Sequence, residues 1–158
     1  KEWLKEKISK KSLKIVFLDI DGVFAKNVKS TNNNNRFYST LDSNTLHNLI
    51  KSGVNVVLIS SEKYAHSKKL FEKIGIDEIN FGVKNKLEFL KQYMNYKGIK
   101  NNECIFFGND LQDSECLKYF NISIVPIDAN ESVKQHAKFI IDRPGGNGAI
   151  TEFFNLIY

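Results

Sequence analysis

An α/β fold, with a mostly parallel sheet and helices on both of its faces, is predicted by two observations. Short apolar runs rich in β-branched residues recur along the chain. Helix-length amphipathic stretches separate them. The length, 158 residues, suits one domain over residues 1–158 with one hydrophobic core.

The elements follow in order. The segment "KEWLKEKISKK" forms amphipathic turns, with Trp3, Leu4 and Ile8 as anchors. Lys14–Asp19 is the first strand, and it runs into "DIDGVF". Val23 to Tyr38 breaks the alternation. Its asparagine run at Asn32–Asn35 cannot build a core and reads as an exposed tip. Val23–Val28 and Arg36–Ser39 then pair as a small β-hairpin, an insertion of about 23–39. Ser43–Ser52 is a helix, Asn55–Ser60 a strand and Lys63–Ile74 a helix. Lys86–Tyr96 is a helix before the strand Cys104–Gly108, and Leu111–Phe120 a helix after it. Ile122–Val125 and Phe139–Ile141 are strands around a helix at Glu131–Ala137, and a last helix starts near Ala149.

Composition excludes several functions. No apolar run approaches the ~20 residues that span a membrane. The net charge of +5 reads as a solvated surface or as attraction for anionic ligands. No basic stripe interleaved with aromatic residues points to nucleic acid. Cys104 and Cys116 read as packing residues, and His47, His66 and His136 are scattered, so a zinc site is not expected. No targeting pattern is read at the start of the sequence, and a reducing, cytoplasmic setting is expected.

Ligands of open α/β sheets bind at the carboxyl ends of the strands. Those ends carry Asp19 and Asp21, then Ser60, Ser61 and Glu62, then Gly108, Asn109, Asp110 and Asp113. Lys86 opens the helix before the Cys104 strand. Carboxylates and amides beside a lysine and hydroxyls suit a hard divalent cation holding a phosphate. One carboxylate can attack phosphorus while a second moves the proton. Each piece alone has a plainer reading. Asp-x-Asp-Gly is commonly a turn, and it lacks the further acids of a calcium loop. Ser60 reads as a helix N-cap and Lys86 as a surface lysine. "GGNG" lacks the Gly-Lys-Ser/Thr of a P-loop. Their common placement at one end of successive strands is what favours a site.

"DIDGVF", "LISS", a lysine and "GNDLQD" together resemble the haloacid dehalogenase (HAD) superfamily of phosphatases. The tail "RPGGNGAITEFF" narrows the resemblance to the subgroup acting on 3-deoxy-2-keto sugar acid phosphates. That subgroup includes octulosonate 8-phosphate and acylneuraminate 9-phosphate phosphatases, and the phosphatase-like domain of acylneuraminate cytidylyltransferases.

The resemblance implies a Rossmann-like HAD fold with a hairpin in place of a cap domain. It implies Asp19 as nucleophile and metal ligand, and Asp21 as acid/base with its carbonyl on the metal. Ser60 would hold the phosphate beside Ser61 and Glu62, and Lys86 would position it. Asn109, Asp110 and Asp113 would complete and support a magnesium site. The tail at Gly145 and Gly146 would approach substrate, in a homotetramer whose hairpins and tails close neighbouring sites.

Three departures bear on specificity. Asn109 stands where an aspartate is usual. Glu62 replaces the arginine of octulosonate enzymes, which tilts the substrate towards a nonulosonate 9-phosphate. Ser43 follows Asp42 where glycine is usual. The expected activity is a magnesium-dependent phosphatase of a small sugar acid phosphate. The alternatives are the octulosonate 8-phosphate, a non-catalytic oligomerisation domain of a cytidylyltransferase, and an anion-binding regulatory module.

Overall fold

The computed structural model describes residues 12–27, 36–63 and 67–158. Its centre is a six-stranded sheet, parallel throughout. In chain order the strands are β1 (Ile15–Asp19), β2 (Asn55–Ile59), β3 (Glu78–Asn80), β4 (Cys104–Phe107), β5 (Ser123–Pro126) and β6 (Phe139–Ile141). In space they run β3-β2-β1-β4-β5-β6. The helices are α1 (Thr40–Lys51), α2 (Lys68–Ile74), α3 (Lys86–Lys97), α4 (Ser114–Tyr119), α5 (Glu131–Lys134) and α6 (Ala149–Ile157).

Every residue of β1 is buried. The period-two pleat sends its side chains alternately to two cores. Val16 and Leu18 join Leu58, Ile105 and Phe107 beneath α1, α2 and α6. Ile15 and Phe17 join Val57, Phe106 and Val125 beneath α3, α4 and α5. The central strands β1 and β4 therefore have no polar face, which is why they read as unbroken apolar runs.

β1 has β2 on one side and β4 on the other. After β1 the chain winds outward to β3, then returns to the far side of β1. The carboxyl ends of β1 and β4 flank that reversal, where open sheets leave a crevice.

Several elements differ from the sequence-based expectation. β3 was not anticipated. It is three half-exposed residues at the sheet edge, too short and too polar to give a pattern. α1 begins at Thr40, three residues early, because Ser39 caps it by accepting from Asp42 N. α2 begins at Lys68 rather than Lys63, so Ser60 is not its N-cap. The Ser60 hydroxyl accepts instead from Glu62 N, at 3.1 Å, in a local turn.

The helix expected at Leu111–Phe120 is split into a 3₁₀ turn, Leu111–Asp113, and α4, because Asp113 turns inward. α5 ends at Lys134. Of the hairpin, the bridge Ala25–Tyr38 and the bond from Lys26 N to Phe37 O are formed. The tip at Asn32–Asn35 and the anchors Trp3, Leu4 and Ile8 lie outside the described residues. No helix among the described residues is long and apolar enough to cross a membrane.

Candidate active site

β1 ends at Asp19, whose parity aims it at the face covered by α3. Asn85 caps α3 by accepting from Glu88 N, which makes Lys86 the first helical residue and leads its side chain back under the sheet end. The Lys86 side chain is 2 % exposed. Its ammonium donates to Asp19 Oδ1 at 2.8 Å and to Asp113 Oδ1 at 2.7 Å. The other oxygen of Asp113 accepts from the backbone N–H of Asn109 at 2.9 Å and of Asp110 at 3.2 Å. One lysine thus ties the end of β1 to the loop after β4.

Two glycines allow this packing. A Cβ on Gly22 would lie 2.0 Å from the Asn109 amide, and Gly22 has a φ of +83°. A Cβ on Gly108 would lie 2.6 Å from Asp113 Cβ. Both are places where another backbone or side chain must approach closely.

The Asn109 side chain meets Asp19 Oδ2 at 2.8 Å and the Asp21 carbonyl oxygen at 2.9 Å. With its nitrogen turned towards them, the amide donates to both. With its oxygen turned towards them, three oxygens converge without a hydrogen between them. Adjacent ligands of an octahedral magnesium ion, bound at 2.0–2.1 Å, stand about 2.9 Å apart. The donor set, a carboxylate, a carbonyl and an amide, is also the oxygen set that magnesium takes. No three His, Cys, Asp or Glu side chains cluster as metal ligands among the described residues. Asp110 lines the same cleft, but its Oδ1 accepts from Leu111 N at 2.8 Å. The side chain that converges on Asp19 Oδ2 and the Asp21 carbonyl is that of Asn109.

Electrostatics agree with a need for positive charge. Burial, then the Asp113 carboxylate, push Asp19 up to about 7, against the opposing pull of Lys86. Lys86 itself is held well above the usual lysine range by Asp19 and Asp113, which outweigh its own burial. A cation beside Asp19 Oδ2 would favour the carboxylate over the acid.

Asp21 lies at the mouth. Arg36, on the returning limb of the hairpin, donates through Nε to Asp21 Oδ1 and holds Nη2 3.4 Å from Oδ2. Asp19, Asp21, Ser60, Ser61, Glu62, Lys86, Asn109 and Asp110 all border one cleft of about 120 Å³. Asn27, Gln112 and Asp113 complete it.

Gly145 and Gly146 do not border this cleft in their own chain. Gly145 N donates to Asp128 at 2.8 Å, and Gly146 N donates to the Val23 carbonyl at 2.7 Å. The tail therefore braces the turn that follows Asp21.

Arg36 and Asp42 were not assigned roles from sequence. Arg36 follows an asparagine run with no surrounding pattern. Asp42 is fully buried on α1. It accepts from Gly148 N at 3.0 Å, and from Thr151 N and Thr151 Oγ1 at 2.9 Å. It caps α6, whose own N-cap, Gly148, has no side chain.

A model of the haloacid dehalogenase-like hydrolases matches residues 75–153, half of the chain. The chain belongs to this family. It is an enzyme of hydrolase type, and the matched region carries Lys86, Asn109 and Asp113.

Among curated haloacid dehalogenase relatives, 3-deoxy-D-manno-octulosonate 8-phosphate phosphatase of Escherichia coli is 22 % identical over 149 residues, 92 % of this chain and 79 % of that one. N-acylneuraminate cytidylyltransferase A of Danio rerio is 30 % identical over 107 residues, 66 % of this chain. That match spans only 25 % of the cytidylyltransferase. In structure, the chain superposes with a TM-score of 0.87 on the octulosonate 8-phosphate phosphatase of Moraxella catarrhalis, solved with magnesium, phosphate and KDO. The identity is 24 %, and the match covers 99 % of this chain and 90 % of that one.

Proposed function

We propose that the chain hydrolyses the phosphate monoester of a 3-deoxy-2-keto sugar acid through an aspartyl-phosphate. A nonulosonate 9-phosphate such as acylneuraminate 9-phosphate is the preferred substrate, and the octulosonate 8-phosphate the alternative. The observation that carries this is the buried Asp19–Lys86–Asp113 network beside the convergence of Asp19 Oδ2, the Asp21 carbonyl and the Asn109 amide.

Those three oxygens would hold magnesium, which supplies positive charge against the transferring phosphoryl group. Ser60 and Lys86 orient the phosphate. An Asp19 carboxylate oxygen forms a bond to phosphorus as the bond to the sugar oxygen breaks. Asp21 gives its proton to that departing oxygen. It then takes a proton from water, whose oxygen attacks phosphorus, so that inorganic phosphate leaves and Asp19 is regenerated. Lys86 holds Asp19 in place, and its charge, together with that of the metal, would favour the carboxylate that attacks in the first step.

The names of the Escherichia coli and Moraxella catarrhalis relatives support the substrate class. Glu62 at the cleft mouth, and the likeness to the Danio rerio enzyme, support the nonulosonate. That likeness also favours a second reading, a non-catalytic domain of a cytidylyltransferase. The presence of Asp19, Asp21 and Lys86 argues against it, because decay would spare the fold and lose the nucleophile.

A phosphate-release screen over sugar phosphates, with magnesium and with a chelator, tests the proposal. Release from a sugar acid phosphate with magnesium alone is expected. No release from any monoester would overturn it. Assembly as a homotetramer belongs to the same reading, and sedimentation checks it.

A further inference from the structure

The reacting cleft is too narrow for a whole sugar acid phosphate, so the departing sugar must lie outside it. One wider cleft adjoins it. This has a volume of about 470 Å³ and is bordered by Ser61, Glu62, Lys63, Lys84 and Gln112. Ser61, Glu62 and Gln112 border both clefts.

The outer cleft contributes two cations and one carboxylate. Neither Lys63 nor Lys84 has an ion-pair or hydrogen-bond partner among the described residues. The segments that carry the two lysines are bound to each other. Gly82 N donates to the Glu62 carbonyl at 2.7 Å, and Val83 N donates to the Ser60 carbonyl at 3.0 Å. On the other side, Lys84 lies two residues before the phosphate-orienting Lys86. The backbone at both lysines is therefore held at a set offset from Ser60 and Lys86.

We propose that Lys63 and Lys84 form an anion subsite for the carboxylate of the departing sugar acid. The inference rests on the phosphatase reading and refines it. Glu62 takes away a cation at the mouth, and these two lysines restore positive charge one step further out. The site thus accepts a carboxylate at the far end of a longer leaving group. Glu62 is left to accept hydrogen bonds from hydroxyl or amide groups between the two ends. Because both ammonium groups are exposed, their attraction falls with ionic strength.

The test is a ratio of kcat/KM values on one protein, so that any loss of folded enzyme cancels. The numerator is acylneuraminate 9-phosphate, and separately octulosonate 8-phosphate. The denominator is p-nitrophenyl phosphate, which has no carboxylate. The parent, Lys63→Gln, Lys84→Gln, the double variant and Lys84→Arg are compared at low and high salt. The double variant is expected to lower the ratio about tenfold, through KM more than kcat. Lys84→Arg should keep the parent ratio, and salt should lower the parent ratio more than that of the double variant.

A double-variant ratio within twofold of the parent overturns the subsite while leaving the phosphatase intact. A parent that releases nothing from p-nitrophenyl phosphate or either sugar acid phosphate overturns both readings together.

Discussion

Two carboxylates stand two residues apart and each meets a cation, yet their surroundings are opposite. Asp19 shares Lys86 with Asp113 inside the protein, where the lysine side chain is 2 % exposed. Asp21 meets Arg36 at the mouth, with side chains 31 % and 20 % exposed. The first pair joins β1, α3 and the loop after β4, all framed by the sheet. The second hangs on one limb of the hairpin. The position of Asp19, the proposed nucleophile, thus belongs to the core, and Asp21, the proposed acid/base, is the more exposed of the two. A group that attacks phosphorus needs a fixed line of approach, whereas one that moves protons in two directions needs access to water.

Four substitutions or conditions break or sharpen that comparison. The largest effect is expected from Asp19→Asn. An amide cannot attack phosphorus, so phosphate release should fall by several powers of ten with the circular dichroism unchanged. Turnover within tenfold of the parent would sink the covalent mechanism.

Next is Lys86→Met. It leaves two carboxylates facing each other in the interior, and removing one partner of a buried ion pair typically costs about 3–5 kcal/mol. Urea unfolding should show a loss of that size, together with loss of activity.

The third concerns pH. Asp19 in the folded protein is raised to about 7 from an ordinary 3.8. The folded state therefore holds a proton that the unfolded state releases. Its contribution is full below about pH 4 and is lost as pH rises through 7. In a chelator, the thermal midpoint should fall across that window. Asp19→Asn should flatten the fall, and added magnesium should raise the parent's midpoint most at the alkaline end. A parent and an Asn variant with the same slope would place the buried charge elsewhere.

The smallest effect is expected from Arg36→Gln. Pairs at the rim of a protein, within reach of water, contribute about 1 kcal/mol, so urea unfolding should change by about that much. If this variant costs as much as Lys86→Met, the contrast between the two pairs fails.

Much of this was legible in order along the chain. Apolar runs located five of the six strands, and three of them, ending in Asp19, Ser60 and Gly108, lead into the candidate cleft. The element boundaries slipped where a side chain bonded to nearby backbone. Asp113 broke one expected helix, and Ser60 turned its own loop instead of capping α2. Those bonds compete with helix formation over a few residues, and composition alone does not decide the winner.

By itself the sequence determined the parallel sheet, because strands buried on both faces must be apolar along their whole length. It also determined which carboxylates stand at the strand ends. Only the tertiary structure decided what those carboxylates meet. Lys86 lies 67 residues from Asp19 and reaches it because α3 starts beneath the end of β1. Asp42 lies 106 residues from Gly148 and caps α6 because α1 packs beside it. Asn109 rather than Asp110 meets the Asp21 carbonyl because Gly22 has no side chain to exclude it. Each partnership depends on the distance and direction between elements, set by packing across the sheet, which no local stretch of residues contains.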